Sequence, residues 1–213
     1  RAFPDVASLK NASLRSVLEL WQGLGYNRRA QSLKKTAEHI VEDFNGAVPS
    51  DSESLMELPG IGHATACSIR AFAFNKPVVF IETNIRTVFI HHFFKNSDEV
   101  QDRELLPLFA QTLNRSNPRT WYYALMDYGV SLKKQYGNLN TKSAHYKRQG
   151  RFKGSNREVR GAILRVLVKE GRIRKRDLCR HVQFKKEKVL HNMEQLANEG
   201  LVVRDGDLFF ISE

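Results

Sequence analysis

Leu55-Met56-Glu57-Leu58-Pro59-Gly60-Ile61-Gly62-His63-Ala64-Thr65-Ala66-Cys67-Ser68-Ile69 is the stretch on which the reading of this chain turns. It encodes a short helix, a Pro-Gly-x-Gly hairpin and a second helix in fifteen residues. The two glycines let the backbone turn tightly and bring it close to a ligand with no Cβ in the way. The free amides at the start of the second helix favour an anion. Leu55, Leu58, Ala66 and Ile69 are the expected packing residues, with alanine allowing close approach. An ordinary capped turn would need only Gly-x-Gly; the full spacing points to a hairpin that holds a phosphate backbone. Such contacts position a nucleic acid but do not read its bases.

Working outward, the pattern upstream is helical. Leu14, Val17, Leu18 and Trp21 recur at helical spacing behind Ser13, an N-cap type. Gly23 and Gly25 then break the helix. A second helix follows, with Leu33, Ala37, Ile40 and Val41 as its expected apolar stripe. Downstream, Phe80-Ile81-Glu82-Thr83-Asn84-Ile85-Arg86-Thr87-Val88 places a carboxylate at the end of an apolar run, where a helix begins. A group so placed can stabilise a developing cation or activate water; it can equally be a helix-terminal acid with no chemistry. Helices are expected again from Asp102 and from Pro118 to about Lys133.

The stretch after Lys133 is basic and dotted with aromatics, to be read as a solvated linker or as a strip along a phosphate backbone. From Ser155 the order is three helices, then two strands around Asp205-Gly206-Asp207, a hairpin signal. That is the order of a winged helix-turn-helix. Its third helix, bearing Lys185, Lys186 and Lys188, would enter a groove of DNA or, in a protein-interaction module, would not.

The formal net charge of +11 and pI near 9.8 favour a polyanionic partner. With 41% hydrophobic residues the chain is globular. No stretch reads as a membrane span or secretory signal. Cys67 and Cys179 suggest neither a disulfide framework nor a metal cluster. The expectation is a cytoplasmic, nucleoid-associated monomer.

Together the hairpin and the Glu82 segment resemble the helix-hairpin-helix DNA glycosylases, the superfamily of endonuclease III and of the MutY-type adenine glycosylases. The resemblance runs from Phe3 to about Lys134. Trp21-Gln22-Gly23-Leu24-Gly25-Tyr26 is similar to the MutY-type Trp-x-Gly-Leu-Gly-Tyr, and Ala124-Leu125-Met126-Asp127-Tyr128-Gly129 to its Ala-Met-Met-Asp-Leu-Gly helix. The implied fold is mainly α: a glycosylase domain over 1–134, whose N-terminal part would precede Arg1, a basic linker over 135–154 and a winged-helix-like domain over 155–213.

By the same resemblance Glu82 stands where the family carries its catalytic aspartate, and Asn84, two residues on, would help orient the carboxylate or the sugar. Tyr26 would wedge into the base stack. Gln22, Arg28, Arg29, Leu58, Pro59, Gly60, Ile61, Gly62, His63 and Thr65 would contact DNA, beside Lys185, Lys186 and Lys188. Ala64 occupies the position of the Schiff-base lysine of bifunctional relatives and cannot form an imine, which implies no lyase activity. Residues 132–152 contain no cysteine, so the family's iron–sulfur cluster is not expected there; no cofactor is, beyond a monovalent cation at the hairpin. The family's general acid sits on an earlier helix, so it would either precede Arg1 or be lacking in this protein. The implied function is a monofunctional DNA N-glycosylase of base excision repair, removing adenine from mispairs in duplex DNA by base flipping. The alternatives are a non-catalytic DNA-binding protein on a degenerate glycosylase fold, and a transcription regulator reading an operator.

Overall fold

A computed structural model describes residues 2–212. In chain order the helices are α1 (Val6–Asn11), α2 (Leu14–Leu20), α3 (Arg28–Asp43), α4 (Ser52–Glu57), α5 (His63–Phe72), α6 (Thr83–Phe93), α7 (Asp102–Thr112) and α8 (Pro118–Tyr136). A 3-10 turn follows at Leu139–Lys142, then α9 (Asn156–Glu170), β1 (Ile173–Arg174), α10 (Lys175–His181), α11 (Lys186–Asn198), β2 (Val202–Asp205) and β3 (Leu208–Ile211). No helix among the described residues is long and apolar enough to cross a membrane.

The chain divides into two compact units. The first comprises residues 2–48, Leu58–Gly60 and residues 149–212. Ser13 caps α2 as expected, accepting from the Ser16 amide at 3.1 Å. Leu14, Val17, Leu18 and Ala30 are buried in one core with Val159, Ile163, Leu164 and Leu167 of α9, Val189, Met193 and Leu196 of α11, and Phe209 and Ile211 of β3. The expected boundary between a body of 1–134 and a separate domain of 155–213 is therefore not where this core divides. The apolar stripes of α2 and α9 are each too narrow to close a core alone and bury one another. Arg15 of α2 donates to the Val168 carbonyl at 2.8 Å, and Gln31 of α3 to that of Gly200 at 2.9 Å. On α3, Ala30, Ala37 and Ile40 are buried while Leu33 is 43% exposed, so the stripe is shifted from the expected one.

The winged-helix order is present in full. β2 and β3 pair antiparallel with Asp205 opposite Leu208, so Gly206 and Asp207 form the two-residue turn, and Gly206 takes the positive φ that such a turn requires. A strand not anticipated, β1, completes a sheet of order β1-β3-β2.

The second unit comprises Pro49–Glu57 and Ile61–Arg148. Its core joins Ala71 of α5, Ile85, Val88, Phe89 and Ile90 of α6, Leu105 and Phe109 of α7, and Tyr122 and Leu132 of α8. Phe89 and Phe109 stack at 4.1 Å. The expected linker of 135–154 is in part built into this unit. Val100 donates to the Lys142 carbonyl at 2.8 Å and accepts from the Ala144 amide at 3.0 Å, and Asn140 and Ser143 are buried. Basic composition concealed this, because the anchoring groups are two small polar side chains and the backbone.

Candidate nucleic-acid interface and carboxylate site

The hairpin forms as its sequence requires. Asp51 caps the turn before α4, accepting from the Ser54 amide at 2.9 Å, which lowers its carboxyl pKa. Gly60 has φ +78, and a Cβ there would meet Ser32 at 2.8 Å. Both reasons demand glycine. The Pro59 carbonyl is held by Thr36 Oγ1 at 3.0 Å. Gly62 is the N-cap of α5 and lends no side-chain bond to the first turn. Nothing lies within 4 Å of where its Cβ would be. Gly60, Gly62, His63, Ala64 and Thr65 are exposed, and Pro59 and Ile61 half-buried. Leu58 is 3% exposed, so its side chain supports the hairpin from within rather than offering a contact. Within α5, burial pushes the Cys67 thiol pKa up, against the opposing effect of Arg70.

Glu82 is the N-cap of α6. Its Oε2 accepts from the backbone amides of Asn84 at 2.6 Å and Ile85 at 3.2 Å, and its Oε1 from Asn84 Nδ2 at 3.3 Å. The predicted pair, Glu82 and Asn84, is thus brought together, both half-buried. The same bonds satisfy orphan amides of the helix start, so one carboxylate serves both readings of the sequence.

Three residues that sequence reasoning missed hold this turn. Asn140 Nδ2 donates to the Thr83 carbonyl at 3.1 Å and to Thr87 Oγ1 at 2.7 Å. Gly129 of α8 lies against the Asn84 carbonyl so closely that a Cβ would come within 2.1 Å of its oxygen. Tyr122 stacks on Phe80 at 4.5 Å and donates to the Val78 carbonyl at 2.7 Å, fixing the extended run that leads into Glu82. Burial pushes the Tyr122 phenol up to about 12. Gly129 stood inside a quoted motif but was not assigned a role; nothing marked Asn140.

In the first unit, Gly23, Gly25 and Tyr26 all adopt positive φ, of 88°, 69° and 50°. Trp21 Nε1 donates to the Gly25 carbonyl at 2.8 Å and ties the loop back to α2. Tyr26 is 54% exposed, which excludes a buried core tyrosine. Its hydroxyl accepts from Arg157 at 3.3 Å and from Gln149. Gln22 donates to the Leu18 carbonyl at 3.1 Å. Arg28 and Arg29 are exposed at the start of α3, and Arg29 lies 5.9 Å over the Trp21 ring. At α11, Lys185 and Lys186 are exposed, whereas Lys188 donates to the Gly154 carbonyl.

The family described as the HhH-GPD superfamily of base excision DNA repair proteins matches residues 1–110. The chain belongs to this superfamily. Among HhH-GPD relatives, the adenine DNA glycosylase of Buchnera aphidicola subsp. Baizongia pistaciae is 33% identical over 134 residues, covering 61% of this chain and 37% of the relative. That of Mycobacterium tuberculosis (strain H37Rv) is 28% identical over 186 residues, covering 78% of this chain and 61% of the relative. The chain thus spans between about two fifths and three fifths of these relatives' lengths. The solved structure of a thermostable thymine-DNA glycosylase superposes with a TM-score of 0.53 at 19% identity, covering 68% of this chain and 71% of that one, a likeness of fold.

Proposed function

We propose that this HhH-GPD chain acts as a monofunctional DNA N-glycosylase of base excision repair that removes adenine from mispairs in duplex DNA. The observation that carries the reading is the Glu82 carboxylate, paired with Asn84 at the start of α6, in a family of base excision repair proteins. The adenine glycosylase relatives support the choice of base.

In this reading the exposed hairpin amides from Gly62 to Thr65 and the cationic residues around Tyr26 hold phosphates. Tyr26 enters the stack and the target base leaves it. The N-glycosidic bond breaks with its electron pair going to the base, and the sugar gains oxocarbenium character. The Glu82 carboxylate stabilises that cation, and Asn84 Nδ2 fixes its orientation. Water completes the reaction, releasing free base and leaving an abasic site. Ala64 offers no amine for an imine, so the strand is not cut by β-elimination. The residues in hand do not fit an iron–sulfur cluster: the 213 residues hold two cysteines, Cys67 on α5 and Cys179 on α10, where a cluster takes about four thiolates.

The test is single-turnover excision from duplexes carrying adenine opposite 8-oxoguanine, adenine opposite guanine, uracil, and thymine mismatches, each with and without alkali. Strand breaks only after alkali, from the adenine mispairs, are expected, and Glu82→Gln should abolish them. Full activity in Glu82→Gln removes Glu82 from the mechanism. A second reading, DNA binding without catalysis, is favoured by one observation: the Glu82 carboxylate is already engaged in capping its own helix. DNA binding with no excision from any of these duplexes would select it.

A further inference from the structure

We infer that the winged-helix element meets DNA through its first helix, α9, and that an arginine-lined groove between α9 and the Gly23–Arg29 loop takes phosphates of the duplex. The groove-entering role expected of α11 is thereby displaced. The inference rests on the DNA-binding part of the reading above and extends it to α9, which lies beyond the 1–110 family match.

The cavity between that loop and α9 measures about 540 Å³ and is lined by five arginines against a single carboxylate, Glu199. Arg160 is paired with Glu199, and Arg28 lies 3.7 Å from the same carboxylate. Arg29, Arg157 and Arg165 have no carboxylate within 4.0 Å among the described residues. Arg157, Gly161 and Arg165 recur every fourth residue and so share one face of α9. Nothing lies within 4 Å of where a Gly161 Cβ would be, which leaves the floor between the two guanidinium groups open.

The groove is preformed. Arg157 donates to the Gly150 carbonyl at 2.7 Å and sits 5.9 Å from the Tyr26 ring and 6.0 Å from that of Phe152. The facing loop is fixed by three residues of positive φ, one of them Tyr26, a conformation that a non-glycine residue keeps only when its surroundings impose it. Fixed guanidinium groups lose little freedom on binding, and their planar forks match phosphate oxygens.

The α10–α11 surface carries a second cationic hollow, with carboxylates interspersed on its helices. Its hollow of about 490 Å³ gathers Lys175, Arg176, Arg180 and Lys186. Against them stand Asp207 in the same hollow, Asp177 at 3.5 Å from Arg180, and Glu187 and Glu194 exposed on α11. Arg180 is thus paired, and Lys188 of α11 donates to the Gly154 carbonyl.

Each phosphate contact releases counterions, so removing one lowers the slope of log affinity against log salt by about 1. The experiment measures binding of an undamaged fluorescent duplex by anisotropy from 50 to 200 mM salt. It compares Arg157→Gln/Arg165→Gln with Arg176→Gln/Lys186→Gln, thermal melting confirming that each folds. The α9 pair should lower the slope by about 2 and weaken binding more than tenfold, while the α10–α11 pair changes the slope by less than about 0.5. Should Arg157→Gln impair folding, Arg165→Gln alone should lower the slope by about 1. The opposite pattern, an equal loss in both pairs, or no change in either with binding intact overturns the inference and leaves the glycosylase reading standing. Failure of the wild-type chain to bind DNA overturns both.

Discussion

Replacing Gly129 by alanine adds one methyl group at the point where α8 meets the turn that carries the carboxylate. That Cβ would sit 2.1 Å from the Asn84 carbonyl oxygen and 2.6 Å from its carbon. Carbon stays about 3.3 Å from a carbonyl oxygen even in close packed contacts, so the start of α6 and α8 must separate by roughly 1 Å. Overpacking of this kind costs about 1–3 kcal/mol, partly offset by up to ~1 kcal/mol from alanine's better helix propensity. For a chain of this size a net loss of about 1–2 kcal/mol lowers Tm by about 2–8 °C. The displaced group is the Asn84–Ile85 peptide, whose amide on Ile85 holds Glu82 Oε2 at 3.2 Å, and a misplacement of that size near a reacting centre costs about 100-fold in rate. Calorimetry and single-turnover excision read the two effects separately. Gly161→Ala, also in a helix but facing open space, should raise Tm slightly and serves as the reference for propensity alone. If Gly129→Ala melts at or above wild type and excises within twofold of it, the clamp does not act as argued.

Asn140→Ala removes two hydrogen bonds to the first turn of α6. It leaves the Thr83 carbonyl and Thr87 hydroxyl with fewer partners at a cost of about 1–3 kcal/mol, and urea unfolding with an unchanged midpoint would contradict it. Leu18→Ala truncates a side chain only 1% exposed in the core shared with α9. It should cost about 2–5 kcal/mol and loosen α9 and α11 together with α2; hydrogen exchange confined to α1–α3 would show that they do not share a core. Tyr122 ionises near 12 in the folded chain because burial disfavours the phenolate, against about 10 unfolded. Its contribution is therefore fully present below pH 10 and is lost as pH rises through 12. Tyr122→Phe should be less stable than wild type at pH 8 and should close that gap between pH 10 and 12 in parallel melts. A gap independent of pH would refute the assignment.

Local signals made much of the fold legible. Ser13, Gly62, Glu82 and Pro118 mark helix starts that the structure reproduces within a residue. Asp205-Gly206-Asp207 fixed the wing, because a two-residue turn needs a positive φ that glycine supplies. The carboxylate pair was legible for the same reason: Glu82 and Asn84 are two residues apart, and the helix start alone brings them together.

What the chain could not disclose lies in contacts between distant residues. The union of α2 with α9 depends on two half-covered stripes that each look complete by periodicity, separated by more than a hundred residues. Asn140 carries no pattern of its own, and only the Thr83 carbonyl and the buried Thr87 opposite it give it work. The arginines of α9 line a groove only once the Gly23–Arg29 loop is folded against them. The sequence by itself determined the elements, their caps and the hairpin chemistry, since these are set within a few residues. Tertiary structure alone decided which stripes meet, what holds the Glu82 turn and where positive charge is concentrated, because packing and electrostatics act through space.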